Sequence, residues 1–77
     1  MPVNIYRKDI TRDEALLKYW GEEAWIEEDN PIVDQFGDYE FLVTFPVYND
    51  EIIEGEIVGW IRETYMNNQL FNMMIEC

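Results

Sequence analysis

Apolar and polar positions interleave along the whole chain, and their period changes several times. Val3 and Ile5, separated by Asn4, alternate as in a short first strand that ends near Tyr6. Thr11 stands three residues before Glu14. That spacing predicts a capping box, in which each side chain satisfies the other's free backbone donor at a helix start. Leu16, Tyr19 and Trp20 then recur at helical spacing, as do Leu17, Trp20 and Ala24. Gly21 costs about 1 kcal/mol inside a helix. It either ends the helix or is tolerated in one running to about Glu28. Asp29, Asn30 and Pro31 terminate whatever precedes them. Residues 29–38 read as a loop interrupted by Ile32 and Val33 and closed by Gly37 and Asp38. Residues 39–47 read as a strand with Tyr39, Phe41, Val43 and Phe45 on one face, and Pro46 places its end at a sheet edge. Asn49 and Asp50 form a turn.

Two periods compete between Glu51 and Cys77. As a helix, Ile53, Ile57, Trp60 and Ile61 align. As a strand, Ile53, Gly55, Ile57, Gly59 and Ile61 alternate with Glu54, Glu56, Val58 and Trp60. Two glycines and five β-branched residues between Ile52 and Ile61 favour the strand. Asn67 and Asn68 make a hairpin turn, since asparagine tolerates positive φ. Leu70 to Ile75 is then the last strand. The expected fold is α+β: one helix packed on a small antiparallel sheet with a C-terminal three-stranded meander, in a single domain over residues 1–77.

Charge changes this picture from fold towards function. Seventeen acidic residues face five basic ones, for a formal net charge of −12. Residues 1–18 hold four cations (Arg7, Lys8, Arg12, Lys18) and three acids, a net +1; residues 19–77 hold fourteen carboxylates and only Arg62, a net −13. Self-repulsion of this size opposes the compact state. Yet 48% hydrophobic and 16% aromatic residues are far more than an unfolded acidic tail carries. A packed domain with an acidic exterior follows. Its core is small, worth about 3–5 kcal/mol, so a homodimer is one expectation. The single cysteine, Cys77, forms no intrachain disulfide, no secretory leader or membrane span is apparent, and a cytoplasmic location is expected.

Conventional site chemistry is thin. The chain has no histidine, which removes the commonest general base and transition-metal ligand. One cysteine makes neither a zinc site nor a cysteine–histidine nucleophile, and no glycine-rich phosphate loop is present. Asp29, Asn30, Asp34, Asp38 and Glu40 surround Gly37 with oxygen ligands, but not at the spacing of a calcium-binding EF-hand loop. The expectation is a protein without catalytic residues, metal or cofactor.

The acids remain. Glu22, Glu23, Glu27, Glu28 and Asp29 bracket Trp25; Asp34, Asp38 and Glu40 form a second group; Asp50, Glu51, Glu54 and Glu56 form a third. On a regular strand Glu54 and Glu56 point to one side about 6.8 Å apart, comparable to successive phosphates. Thirteen charges over a domain roughly 25 Å across approach the density of duplex DNA, one per about 1.7 Å. Three tryptophans exceed what a small core uses. Trp20 and one other can make the helix–sheet contact. Trp25 is either part of it or an interface anchor suited to an arginine-rich partner. Arg7, Lys8 and Arg12 are expected to pair with the protein's own acids at little gain.

In size, acidity and lack of histidine the chain resembles small inhibitors encoded by bacteriophages, including DNA-mimic antirestriction and anti-CRISPR proteins. The resemblance is one of general character and transfers no site residue. It implies a stoichiometric blocker in a bacterial cytoplasm. The charge pattern itself supplies the expected site: a non-enzymatic inhibitor binding the basic nucleic-acid-binding surface of a nuclease, CRISPR effector or restriction enzyme through the thirteen residues just named, Trp25 and its flanking acids included. Neither nucleic acid nor membrane is an expected direct partner. The alternatives are an antitoxin or immunity-type protein that neutralises a basic toxin, and an adaptor that binds through its aromatic surface.

Overall fold

A computed structural model describes residues 4–50 and 53–76; the side chains of residues 4–7, Ile53 and Glu54 lie outside that description, as does Glu51 altogether. The chain forms β1 (Asn4–Arg7), α1 (Arg12–Trp20), β2 (Ala24–Ile26), β3 (Ile32–Gly37), β4 (Glu40–Asn49), β5 (Ile53–Met66) and β6 (Gln69–Glu76). All strands belong to one antiparallel sheet of order β1-β6-β5-β4-β2, with β3 sharing the β2 side of β4. The fold is therefore α+β, and β4-β5-β6 is the expected meander.

The capping box closes α1 as its spacing implies. Thr11 Oγ1 accepts from the Glu14 N–H, and Glu14 Oε1 accepts from the Thr11 N–H, both at 3.2 Å. Gly21 settles the length of the helix: at φ 94° it leaves helical geometry, and its N–H caps the carbonyls of Leu16 and Leu17. No helix continues to Glu28. Residues 24–26 form β2 instead, with Ala24, Trp25 and Ile26 opposite Asn49, Tyr48 and Val47. Of the two helical periods, the one through Leu16, Tyr19 and Trp20 packs against the core, whereas Leu17 is 57% exposed.

Residues 32–37, read as loop from the sequence, are strand β3. Ile32 and Val33 lie opposite Thr44 and Val43. The length of β4 is the reason: it serves β3 with one half and β2 with the other. Pro46 lies inside the sheet, not at its edge, at the switch between these two neighbours. The Glu27 N–H donates to its carbonyl at 3.3 Å. A strand residue's nitrogen and carbonyl face the same side, so the missing donor faces the β2–β3 junction and costs β5 nothing. Asn67 and Asn68 make the last hairpin at φ 54° and 62°.

The core lies between α1 and one sheet face. Ala15, Ala24, Val47, Ile61, Met73 and Ile75 are buried there, with Phe45 in the same sheet rows. At the C-terminal end of α1, Trp20 lies over Gly59, where an added Cβ would collide with the indole and lie 2.6 Å from the Glu76 carbonyl oxygen. The Asn49 side chain, 2% exposed, donates to the Trp20 carbonyl at 3.4 Å. At the other end, Arg12 Nη1 donates to Glu63 Oε1 at 2.7 Å, and the guanidinium sits 4.4 Å from the centre of the Phe45 ring. Glu63 is only 4% exposed.

Two outcomes follow. Gly59→Ala should destabilise by about 1–3 kcal/mol through overpacking under Trp20, read as a lower urea midpoint. Arg12→Met should cost about 3 kcal/mol, since it strands a buried carboxylate. Adding Glu63→Leu to Arg12→Met should recover most of that loss in the same titration. A single-variant loss below about 1 kcal/mol would mean that the bridge does not hold the helix.

Candidate partner-binding surface

The exit from α1 decides where the acids go. After Gly21 the chain turns through exposed Glu22 and Glu23 and enters β2. Strand alternation sends Ala24 and Ile26 to the core and Trp25 to the helix-free face. There Trp25 lies directly opposite Tyr48, and Tyr48 opposite Ile57 of β5. The Trp25 and Tyr48 rings stack with centroids 4.5 Å apart and planes 21° apart, a geometry favoured for aromatic pairs. Trp25 remains 41% exposed and Ile57 44%. Trp25 is thus exposed and lies outside the helix–sheet contact, which Trp20 makes.

Asn49 lies opposite both Ala24 and Ile53, and Asp50 follows it. The end of the sheet thus gathers Glu22, Glu23, Asp50 and Glu56 beside the aromatic pair, all exposed. Glu27 continues the β2 direction and is half-buried; its Oε1 accepts the Asp29 N–H at 3.1 Å.

Other acids are elsewhere. Glu28 lies 3.9 Å from Arg12 Nη2, on the helix side of the sheet. Consecutive residues of an extended chain face opposite ways, so Glu27 and Glu28 do not share one surface. Asp34, on β3, and Asp38 are exposed, and half-buried Glu40 lies opposite Met66. This group lies towards the far end of β4: Glu40 is eight residues from Tyr48, about 27 Å at strand rise, and Asp34, opposite Leu42, is at the level of a residue about 20 Å away. The thirteen residues therefore form no single plate. The backbone through Glu54 and Glu56 is not the regular strand that their expected spacing assumed, and the Glu54 side chain lies outside the described residues. One step on β4, Tyr48 to Asn49, corresponds to four on β5, Ile57 to Ile53, with Gly55 at φ 78° inside the bulge. The molecule extends 40 Å along its long axis rather than roughly 25 Å. Its mean charge density is accordingly nearer one per about 3–4 Å than the duplex value of about 1.7 Å.

Of the three cations expected to pair with the protein's own acids, Arg12 does so, and more strongly than a surface pair; Lys8 lies against an aromatic ring instead, and the Arg7 side chain is outside the described residues. Lys8 lies 4.7 Å from the centre of the Phe71 ring and Lys18 5.9 Å from that of Tyr19. Arg62 pairs with Glu76 at 2.7 Å on the helix-free side. Arg12 is the exception, because its Glu63 partner is buried. Burial alone would lower the Arg12 pKa. The hydrogen bond and charge of Glu63, aided by Glu28, outweigh burial and hold the pKa above its ordinary value. Tyr65 donates to the same Glu63 oxygen at 3.3 Å. Burial first, then the Glu63 charge and that hydrogen bond, push the phenol pKa up. Arg12, Glu63 and Glu28 also line an open pocket of about 340 Å³ with Ile10 and Met73. Among the described residues no group of three or more acids or cysteines is arranged to hold a metal ion, and no helix is long and apolar enough to cross a membrane.

The Tyr65 shift has a definite sign. A phenol whose pKa is higher folded than unfolded stabilises the fold fully below the unfolded value, near 10, and loses that contribution as pH climbs through the folded value. Unfolding free energy should therefore decline above about pH 10, and Tyr65→Phe should make the decline shallower in urea titrations across that range. Compared with known proteins, the chain matches no family model, no curated protein and no solved structure, so its own residues alone define the surface.

Proposed function

We propose that the protein is a non-enzymatic inhibitor that occupies the basic nucleic-acid-binding surface of another protein, such as a nuclease, a CRISPR effector or a restriction enzyme. The observation that carries this reading is the exposed Trp25–Tyr48 stack at the acid-rich end of the sheet, in a chain whose residues 19–77 carry net −13. Carboxylates steer a cationic partner and aromatic area anchors it. The mimicry is local. A cluster of exposed acids at one end of the sheet stands in for a few phosphates, while the 40 Å body does not imitate a continuous duplex.

Binding of this kind competes with DNA and weakens with salt. The immobilised protein should retain nucleic-acid-binding proteins from a bacterial lysate and release them to excess duplex DNA. The triple variant Glu22→Gln, Glu23→Gln, Glu27→Gln should bind the retained protein roughly tenfold more weakly, about 0.5 kcal/mol per charge, with an unchanged circular dichroism spectrum. Retained proteins that duplex DNA fails to displace would contradict the proposal.

A further inference from the structure

We infer that Trp25 forms an arginine-specific slot, in which a partner's guanidinium stacks on the indole as the third layer over Tyr48 and pairs with the neighbouring carboxylates. The inference rests on the charge-driven inhibitor reading and names the chemistry of its main contact.

Three features point to it. First, β2 is the last strand on its side of the sheet. Tyr48 of β4 covers one flank of Trp25, and among the described residues no further strand lies beyond the other, so the stack is open at the sheet edge. Trp25 retains its 41% exposure for this reason. Second, exposed Glu23 stands two residues before Trp25 in the turn that leads into β2, and Glu27 stands two residues after it, on the order of 7 Å away at strand rise. That is within reach of a guanidinium lying on the ring. Third, the four cations whose contacts are described are already engaged: Lys8 with Phe71, Lys18 with Tyr19, Arg12 with Glu63 and Arg62 with Glu76. Among the described residues none of these cations is left for the slot, so its cation is assigned to a partner.

The chemistry selects arginine over lysine. Guanidinium is planar and weakly hydrated, stacks on an aromatic face and still presents its edge to a carboxylate in a fork. An ammonium is a strongly hydrated point charge that does not do both at once. A second copy of the chain is a poor occupant, because two bodies of net charge −12 repel.

Nona-arginine and nona-lysine peptides are suitable probes, titrated calorimetrically against the full chain at about 50 and 150 mM salt. Arginine binds carboxylates better than lysine on any acidic surface, so the decisive quantity is how the arginine-to-lysine affinity ratio changes on mutation. Trp25→Leu should lower that ratio roughly fivefold and leave nona-lysine affinity nearly unchanged. Tyr39→Leu, a control at an aromatic residue that is 59% exposed outside β4, should leave the ratio alone. Glu23→Gln with Glu27→Gln provides a second route that leaves the stack intact; it too should lower the ratio. Equal ratios in wild type and Trp25→Leu, with both peptides still binding in a salt-dependent way, would overturn the slot and leave the inhibitor reading standing. Failure of both peptides to bind at low salt would overturn both.

Discussion

The seating of α1 on the sheet is the constraint on which the rest depends. A nine-residue helix with one fully buried side chain, Ala15, is too short to be stable alone. It is held at both ends. Arg12 reaches the buried Glu63 at its start, and Trp20 lies over Gly59 at its finish, with Asn49 holding the Trp20 carbonyl. Each contact needs an unusual residue on the sheet: a buried acid in one case, an absent side chain in the other. Together they fix where the chain leaves the helix, and so where Glu22, Glu23 and Trp25 emerge.

The consequence is a lopsided molecule. The helix covers part of one sheet face, and no described element lies on the other. The helix-free face consequently carries apolar surface that a two-layered domain would bury: Trp25 and Ile57 at one end, Ile32 on β3. The acids divide by position rather than by sequence cluster. One set crowds the end where β2, β4 and β5 meet, a second sits at the β3–β4 turn, and Glu28 is drawn to Arg12. Charge that appears continuous along the sequence is therefore local in space; among the described residues, the concentration at the β2 end lies with a stacked aromatic pair, and the one at the β3–β4 turn with the exposed Phe36 and Tyr39. The proposed contact follows from the first coincidence.

Elements with local causes were legible in the sequence. The Thr11–Glu14 box, the Asn67–Asn68 turn and the β-branched run from Ile52 to Ile61 act through neighbouring residues, and the helix start, the last hairpin and strand β5 follow them. Elements that depend on distant partners were not legible. Residues 32–37 are a strand because β4 is long enough to accept a second neighbour, and nothing within β3 announces that. Pro46 marks a switch of neighbour, which resembles an edge when only its own strand is considered. The bulge between Ile53 and Ile57 overrides an alternation that looked regular. At the surface, Trp25 with acids on both sides was visible as a pattern, but its stacking on Tyr48 came from pairing residues 23 positions apart. Arg12 was rightly assigned to an internal acid, and only the burial of Glu63 reveals its weight.

The most direct test is to map the contact by two-dimensional NMR while titrating the protein with an arginine-rich DNA-binding domain. The account predicts the largest shifts at the Trp25 indole N–H and at Tyr48, Ile57, Glu22 and Glu23, with Asp34, Asp38 and Glu40 little changed. Equal shifts at both ends of β4, or shifts centred on β3 with Trp25 silent, would contradict it.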